Sequence, residues 1–492
     1  MRVSEKVTIK EIESWSSENV VLIKAGTGAG KSYFVKNNLY AIAKRDKKRI
    51  LMLIHRRNCV DQFQMEIEEL SKTDVIDIRT YQSIEAVERG GVIYELRQYD
   101  YIICDEFHYF MGDAAFNKYT DLSLNAILEQ TNAIKIFMSA TGDNMKHYLS
   151  DSKHKGLATI NYELPLDFSF IKHLEFFYKD ATLETYIEDV IKHNKKAIFF
   201  IQSATKAYEL HKKYKDHSLF NCGKGDKHYK HVEEEKINEL LKNERFEELI
   251  LFTTSVMDAG VNIHDDELNH IFVDVDDTGT LIQCIGRKRL KGKDDYIVLH
   301  VKAIGKQQLG GLETQNRKKM QMGYYFKEHG QKKFVREYYR ENDKSHIVYD
   351  EPTKDGIEKK LNELMFFKVV TDLIEIERMK ENGYIPYMKE LFGIEEYSVF
   401  EEDEKKESLE VYLDKMVGKV MLQAEDRNEL VEVLNVRDGR NNRLLRGIET
   451  LNGMLKENKI NYLIDQFETS KTVDGKRKKY KSAWRVRRLS DC

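Results

Sequence analysis

From Asn19 to about Thr141 the chain alternates short apolar runs with amphipathic stretches, and each run stops where polar or glycine residues begin. "VVLIK" enters a glycine-rich loop, "RILMLI" a helical stretch from Arg57, "YDYIIC" the triplet "DEF", and "AIKIFM" the triplet "SAT". Such runs read as buried parallel strands with functional loops at their C-terminal ends. Ligands bind at those ends in open α/β sheets. The rhythm restarts after Pro165 with "KAIFFIQ", "ELILFTT", "NHIFVDV" and "DYIVLH". The expected fold class is therefore α/β, with two parallel-sheet domains in tandem over residues 1–160 and 161–305, joined around Thr159 to Phe170.

Beyond about Lys302 the strand rhythm gives way to long charged stretches at helical spacing, such as "IEKKLNELMFFKVVTDLIEIERMKENG". Residues 306–492 are expected to form a mostly helical accessory region ending in a basic tail, "GKRKKYKSAWRVRRL". With 41% hydrophobic and 33% charged residues the chain is neither disordered nor fibrous. A formal net charge of -3 makes no whole-chain case for nucleic acid, so any electrostatic attraction must be local. The five cysteines are scattered, without a C-x-x-C pair, which excludes a disulfide framework and a zinc ribbon. No run of eighteen apolar residues and no leader-like segment occurs, so a cytoplasmic location without a membrane partner is expected.

The loop "KAGTGAGKSYF" follows the first apolar run. Glycines 26, 28 and 30, with Thr27 and Ala29 between them, let the backbone curl so that N–H groups converge on phosphate oxygens. Lys31 would neutralise the β and γ phosphates, and the Ser32 hydroxyl would ligand Mg²⁺. Ala25 stands where the general phosphate-loop pattern has glycine. Downstream, "YDYIICDEFHYF" delivers Asp105 and Glu106 together at the end of an apolar strand. Phosphoryl transfer to water needs one carboxylate to hold Mg²⁺ and another to orient and deprotonate the water.

"AGTGAGKS", "DEFH", "SAT" at Ser139–Thr141 and "IQCIGRKR" from Ile282 occur in this order. Together they resemble the superfamily 2 helicases and nucleic-acid translocases of the DExH type. There the first loop position is often alanine. "LMLIHRRNCVDQF", "RTYQSI", "AIFFIQSATKA" and "LFTTSVMDAGVNI" resemble further motifs of that family. The resemblance covers roughly the first three hundred residues and implies two RecA-like domains with ATP and Mg²⁺ between them.

Carried over, Lys31 and Ser32 bind phosphate and Mg²⁺, Asp105 binds Mg²⁺, and Glu106 is the general base. His108, Ser139 and Thr141 couple nucleotide state to domain position. Asp258 and Gly260 lie near the nucleotide, and Gln283 and Arg287 reach across the cleft. The family's Q-x-x-G-R-x-x-R ending has Leu290 at its last position here, so the finger role passes either to Arg289 or to Arg287 alone. No glutamine precedes Gln62, so the upstream glutamine of DEAD-box RNA helicases is missing.

For the strand itself the resemblance implies Arg56, Arg57, Thr80, Gln82, Ser203 and Thr254, contacting mainly phosphates. The alternatives are a solvated helix start for Arg56–Arg57 and a strand-end hydroxyl bond for Thr80. The basic terminus either clamps phosphates, with Tyr480 or Trp484 stacked on a base, or is a solvated tail. The expected activity is ATP hydrolysis coupled to unwinding or to translocation along single-stranded nucleic acid, with duplex junctions as a further partner and DNA slightly favoured over RNA. The alternative is an ATP-driven binding switch or remodeller whose C-terminal region meets a protein partner. A small-molecule kinase would account for the loop but has no use for "QCIGRKR".

Overall fold

A computed structural model describes residues 1–90, 96–115, 117–255, 261–292, 294–339, 346–353, 356–438, 443–473 and 476–489. The side chains of residues 57, 58, 115, 403 and 473 are outside this description. The chain divides into two compact units, Met1–Tyr397 and Ser398–Cys492.

The first unit contains both expected sheets. Strands β1 (Val20–Lys24), β2 (Ile50–Ile54), β3 (Ile76–Thr80), β4 (Tyr101–Asp105), β5 (Ile134–Ser139) and β6 (Thr159–Glu163) line up in the order β3-β2-β4-β5-β1-β6, all parallel. Strands β7 (Ile171–Phe177), β8 (Lys196–Ile201), β9 (Ser218–Asn221), β10 (Ile250–Thr253), β11 (Leu268–Asp274) and β12 (Ile297–Lys302) follow in the order β7-β12-β11-β8-β10-β9, again all parallel. The boundary expected after residue 160 falls inside β6, because β1 takes Thr159–Glu163 as its outer partner in full register.

Period-two alternation explains why these runs are apolar throughout. Val21, Ile23, Met52 and Ile103 enter one core while Val20, Leu22, Leu53 and Ile102 enter another, so both faces are covered. Part of the second cover comes from far along the chain, where Met322, Phe334 and Phe367 join the same cluster. They belong to helical segments that follow β12. Lys306–Glu337 is broken at Gly330 (φ 70°), a hairpin pairs Val348–Thr353 with Gly356–Leu361, and the helix Glu363–Asn382 comes next. Asn362 caps that last helix through Met365 N–H and donates to the Ala114 carbonyl at 3.1 Å. The region after Lys302 is thus mostly helical, as expected, but the part up to Tyr397 packs into the first unit.

In the second unit, helices Phe400–Met416, Asn428–Leu434 and Ile448–Glu457 share a core with one face of a long hairpin, Tyr462–Val473 paired with Lys476–Arg488. The basic terminus is therefore a strand and not a tail. Tyr480 and Trp484 are buried, so neither ring is free to stack on a base. No described helix is long and apolar enough to cross a membrane.

Candidate nucleotide-binding site

The parallel register brings the site together. Lys24 of β1 pairs with Ser139 of β5, and Asp105 of β4 pairs with Met138, so the glycine loop, the carboxylates and "SAT" leave adjacent strand ends. In the loop Gly28 and Gly30 have φ of 82° and 85°, conformations a side chain would strain. A helix starts at Lys31, whose Nζ turns back to the Ala25 carbonyl at 3.1 Å and to Glu106 Oε1 at 3.4 Å. Ser32 is exposed beside it.

Glu106 itself has a left-handed backbone (φ 51°), an unusual conformation for a non-glycine residue, directly after β4. Its Oε2 accepts from the Ser139 hydroxyl at 3.2 Å and lies 3.4 Å from His108 Nδ1. Ser139 Oγ in turn accepts from the Thr141 N–H at 3.1 Å and sits 2.9 Å from His108 Nδ1. Burial pushes Glu106 up, but Lys31, then His108, then Arg287 outweigh it and hold the carboxylate below the usual range. Asp105 goes the other way. Burial and the neighbouring Glu106 push it up to about 6, and among the described residues its buried Oδ1 has no hydrogen-bond partner. A buried carboxylate oxygen with no partner among the described residues and an exposed serine hydroxyl on a phosphate-type loop are oxygen donors of the kind a divalent cation takes.

The second domain closes over this loop. A Cβ placed on Gly286 would lie 2.6 Å from Thr27 Oγ1, so any larger residue there would force the Thr27 side chain to shift. Gln283 Nε2 donates to Thr141 Oγ1 at 3.2 Å, and Gln283 Oε1 accepts from Arg287 Nη2 at 3.0 Å. Arg287 also donates to the Gln283 and Val261 carbonyls, which leaves it buried and held inside its own domain. Arg289 Nε donates to Asn262 Oδ1 at 2.7 Å, and its Nη1 reaches to 3.9 Å from a Cβ built on Gly28. Burial and the neighbouring Arg287 lower its pKa to about 10, which leaves it charged at neutral pH.

The reason is local. Ile263 pairs with Lys288 in a short bridge, with Ile263 N–H donating to the Arg287 carbonyl and Arg289 N–H to the Ile263 carbonyl. Extended backbone alternates its side chains, so Arg287 and Arg289 share one side and Lys288, paired with Asp295 at 2.6 Å, takes the other. Leu290 points to solvent, 38% exposed. Asp258 and Gly260 lie outside the described residues.

A cavity of about 530 Å³ adjoins the Thr141–Gln283 bridge, and none of the loop glycines lines it. Arg56 and Thr254 line it from the two domains, and Lys368, Asp372 and Glu375 from the helix Glu363–Asn382. The structure thus brings Arg56 and Thr254 together. Thr80 and Ser203 instead cap helices through Ser83 N–H and Lys206 N–H, the strand-end role in the case of Thr80. Gln82 is exposed on the first of those helices, and the Arg57 side chain lies outside the described residues.

Several residues of this region escaped sequence reading. Lys368 Nζ pairs with Asp277 at 3.1 Å and Asp372 at 2.8 Å, and Asp277 caps the helix that carries Gln283. His55, next to Arg56, binds Asp113 at 2.9 Å, and its other ring nitrogen is buried without a hydrogen-bond partner among the described residues. A histidine ending an apolar strand was the available signal for the last.

A family model described as type III restriction enzyme, res subunit, matches residues 2–89, the stretch that contains the glycine loop. No curated protein matches the chain. Among solved structures, Saccharomyces cerevisiae Dbp5 bound to RNA and ADP BeF3 is similar at 16% identity and a TM-score of 0.46, over 61% of this chain and 83% of that one. Mss116p bound to ssRNA and AMP-PNP is similar at 16% identity and a TM-score of 0.45, over 92% and 85%. The Mycobacterium smegmatis helicase Lhr bound to ssDNA and AMP-PNP is similar at 16% identity and a TM-score of 0.36, over 64% and 44%.

Proposed function

We propose that this chain is an ATP-hydrolysing nucleic-acid motor of the DExH helicase type, acting on a single strand, with DNA slightly favoured over RNA. One observation carries the reading: Gln283 bridges Arg287 of one domain to Thr141 of the other, between the glycine loop and a cavity lined by Arg56 and Thr254. Similar proteins whose structures contain RNA or single-stranded DNA agree with it.

Gly26 to Ser32 cradle the triphosphate, with Lys31 as the neutralising cation. Ser32 and Asp105 would hold Mg²⁺, which when bound would offset charge on the β and γ phosphates. Glu106, kept ionised, accepts the proton of the attacking water at its carboxylate. Arg289 faces the loop at Gly28 and meets the charge that develops during transfer. Because Arg289 comes from the second domain, hydrolysis requires the cleft to be closed. His108, Ser139 and Thr141 form the chain that links Glu106 to Gln283. Arg56 and Thr254 meet the strand in the cavity.

Binding of a labelled single strand tests the substrate side. Affinity should rise with a non-hydrolysable ATP analogue and fall on Arg56→Ala. A strand-displacement assay separates a helicase from a switch, since displacement by the wild type excludes a pure switch. Equal binding by wild type and Arg56→Ala, with and without the analogue, would sink the reading.

A further inference from the structure

The hairpin of the second unit changes character along its length. Near its base the arginines are spent on internal pairs. Arg485 and Arg487 both reach Asp465, at 2.8 and 3.0 Å, and Arg488 reaches Asp414 at 2.7 Å. Arg427 lies over the Trp484 ring at 4.6 Å, and the apolar residues Ile464, Trp484 and Val486 enter the core.

Toward the tip this stops. Between Glu468 and Lys481 the sequence carries Lys471, Lys476, Arg477, Lys478, Lys479 and Lys481 against only Glu468 and Asp474. Glu468 pairs with Lys479 at 2.7 Å. Among the described residues no carboxylate lies within ion-pair distance of Lys471, Lys476, Arg477, Lys478 or Lys481, and all five are exposed. The register sets Lys471 directly across from Lys478, a like-charge pairing that costs a ribbon stability. Strand alternation puts Lys476 and Lys478 on one face and Arg477 and Lys479 on the other, so both faces are cationic.

We infer that this ribbon is a second nucleic-acid site, which takes the backbone of double-stranded DNA. Arg477 Nε donates to Ser470 Oγ and Lys478 lies over the Tyr480 ring, but exposed cations with no carboxylate partner among the described residues are still stabilised by an external polyanion of regular charge spacing. A B-form duplex has that spacing, about one charge per 1.7 Å of axis. Its major groove, about 12 Å wide, admits a two-stranded ribbon, whereas the deep, narrow groove of A-form RNA does not. Binding is set by charge and shape, without a nucleotide and without base stacking, since Tyr480 and Trp484 are buried. The inference concerns the second unit alone and does not rest on the motor reading.

The test uses the full chain without nucleotide. Binding to a 20-base-pair DNA duplex is measured across a salt series for wild type and for Lys471→Glu/Lys476→Glu/Lys478→Glu. The variant is expected to bind about 10-fold or more weakly at 0.1 M salt, and its log–log salt slope should be shallower by about 2–3. Its rate of ATP hydrolysis without polynucleotide should be unchanged. The corresponding triple glutamine variant, checked by circular dichroism, should show the same direction and guards against misfolding of the first. Unchanged duplex affinity and slope in the glutamine variant overturn the inference. So do tighter binding to duplex RNA, or losses seen only with phosphatidylserine vesicles or polyglutamate. A wild-type chain that binds the duplex but hydrolyses no ATP would count against the motor reading alone.

Discussion

The side-chain amide of Gln283 donates to the hydroxyl of Thr141 across the cleft between the two α/β domains, at 3.2 Å. Thr141 is tied through its own N–H to Ser139, and Ser139 to Glu106, so one chain of hydrogen bonds runs from the second domain to the carboxylate expected to activate water. Thr141→Val keeps the shape and removes the acceptor. Stimulation of ATP hydrolysis by a single strand should fall about 10-fold, the worth of one hydrogen bond, while the unstimulated rate moves less than about 2-fold. Steady-state hydrolysis with and without strand checks this; equal stimulation in variant and wild type would break the coupling account.

Glu106→Gln should lower turnover by about 100-fold to 10,000-fold and leave ATP-analogue affinity nearly intact, because the amide cannot accept the proton of water. Single-turnover hydrolysis paired with a nucleotide-binding titration separates the two quantities. A turnover loss matched by an equal loss of binding would show that Glu106 positions the loop instead.

The arginines divide by what holds them. Arg287 is buried and donates to Gln283 twice and to Val261, so Arg287→Ala should cost about 2–4 kcal/mol of stability, measured by denaturant unfolding. Among the described residues Arg289 has one side-chain hydrogen-bond partner, Asn262, and it faces Gly28, so Arg289→Ala should keep the fold and lose about 1,000-fold in turnover. Leu290→Arg should restore nothing, since that side chain points to solvent. A wild-type rate in Arg289→Ala would return the finger role to Arg287.

The second sheet carries a pH-dependent element. His270 Nδ1 lies 3.1 Å from His300 Nε2, and His300 Nδ1 lies 2.8 Å from Glu175 Oε2. Burial, then the neighbouring His300, pushes His270 down to about 4, below the ordinary histidine value of about 6.5. Between those values the unfolded chain binds more protons than the folded one. The contribution is therefore complete above about pH 6.5 and is lost as pH falls toward 4, by about 1–2 kcal/mol. Thermal unfolding at pH 7 and pH 4.5 should show the loss, and His270→Gln should flatten it. A slope unchanged by that substitution would place the sensitivity elsewhere.

Much of the core was legible because strands such as Val20–Lys24, Ile50–Ile54 and Tyr101–Asp105 are apolar runs ending at a motif, whereas Ile76–Thr80 and Thr159–Glu163 are interrupted by polar residues. What escaped depends on tertiary contact or on backbone direction. Arg289 takes the place facing the loop because the Ile263–Lys288 bridge extends the chain there, and spacing alone cannot show that. The wall formed by Lys368 and Asp372 comes from a helix remote in sequence, whose charged face reads as solvated. The terminal ribbon escaped because charge at nearly every position from Lys476 to Lys481 hides the period-two pattern, which only Tyr480, Trp484 and Val486 betray.

The central claim is that nucleotide hydrolysis and strand binding are joined across the cleft. Its most direct test is the rate of ATP hydrolysis against single- and double-stranded DNA and RNA, with Lys31→Ala as control. The account predicts a low unstimulated rate, a rise of about 10-fold or more with a single strand, and no turnover in Lys31→Ala. Hydrolysis at one rate with and without every polynucleotide would contradict it.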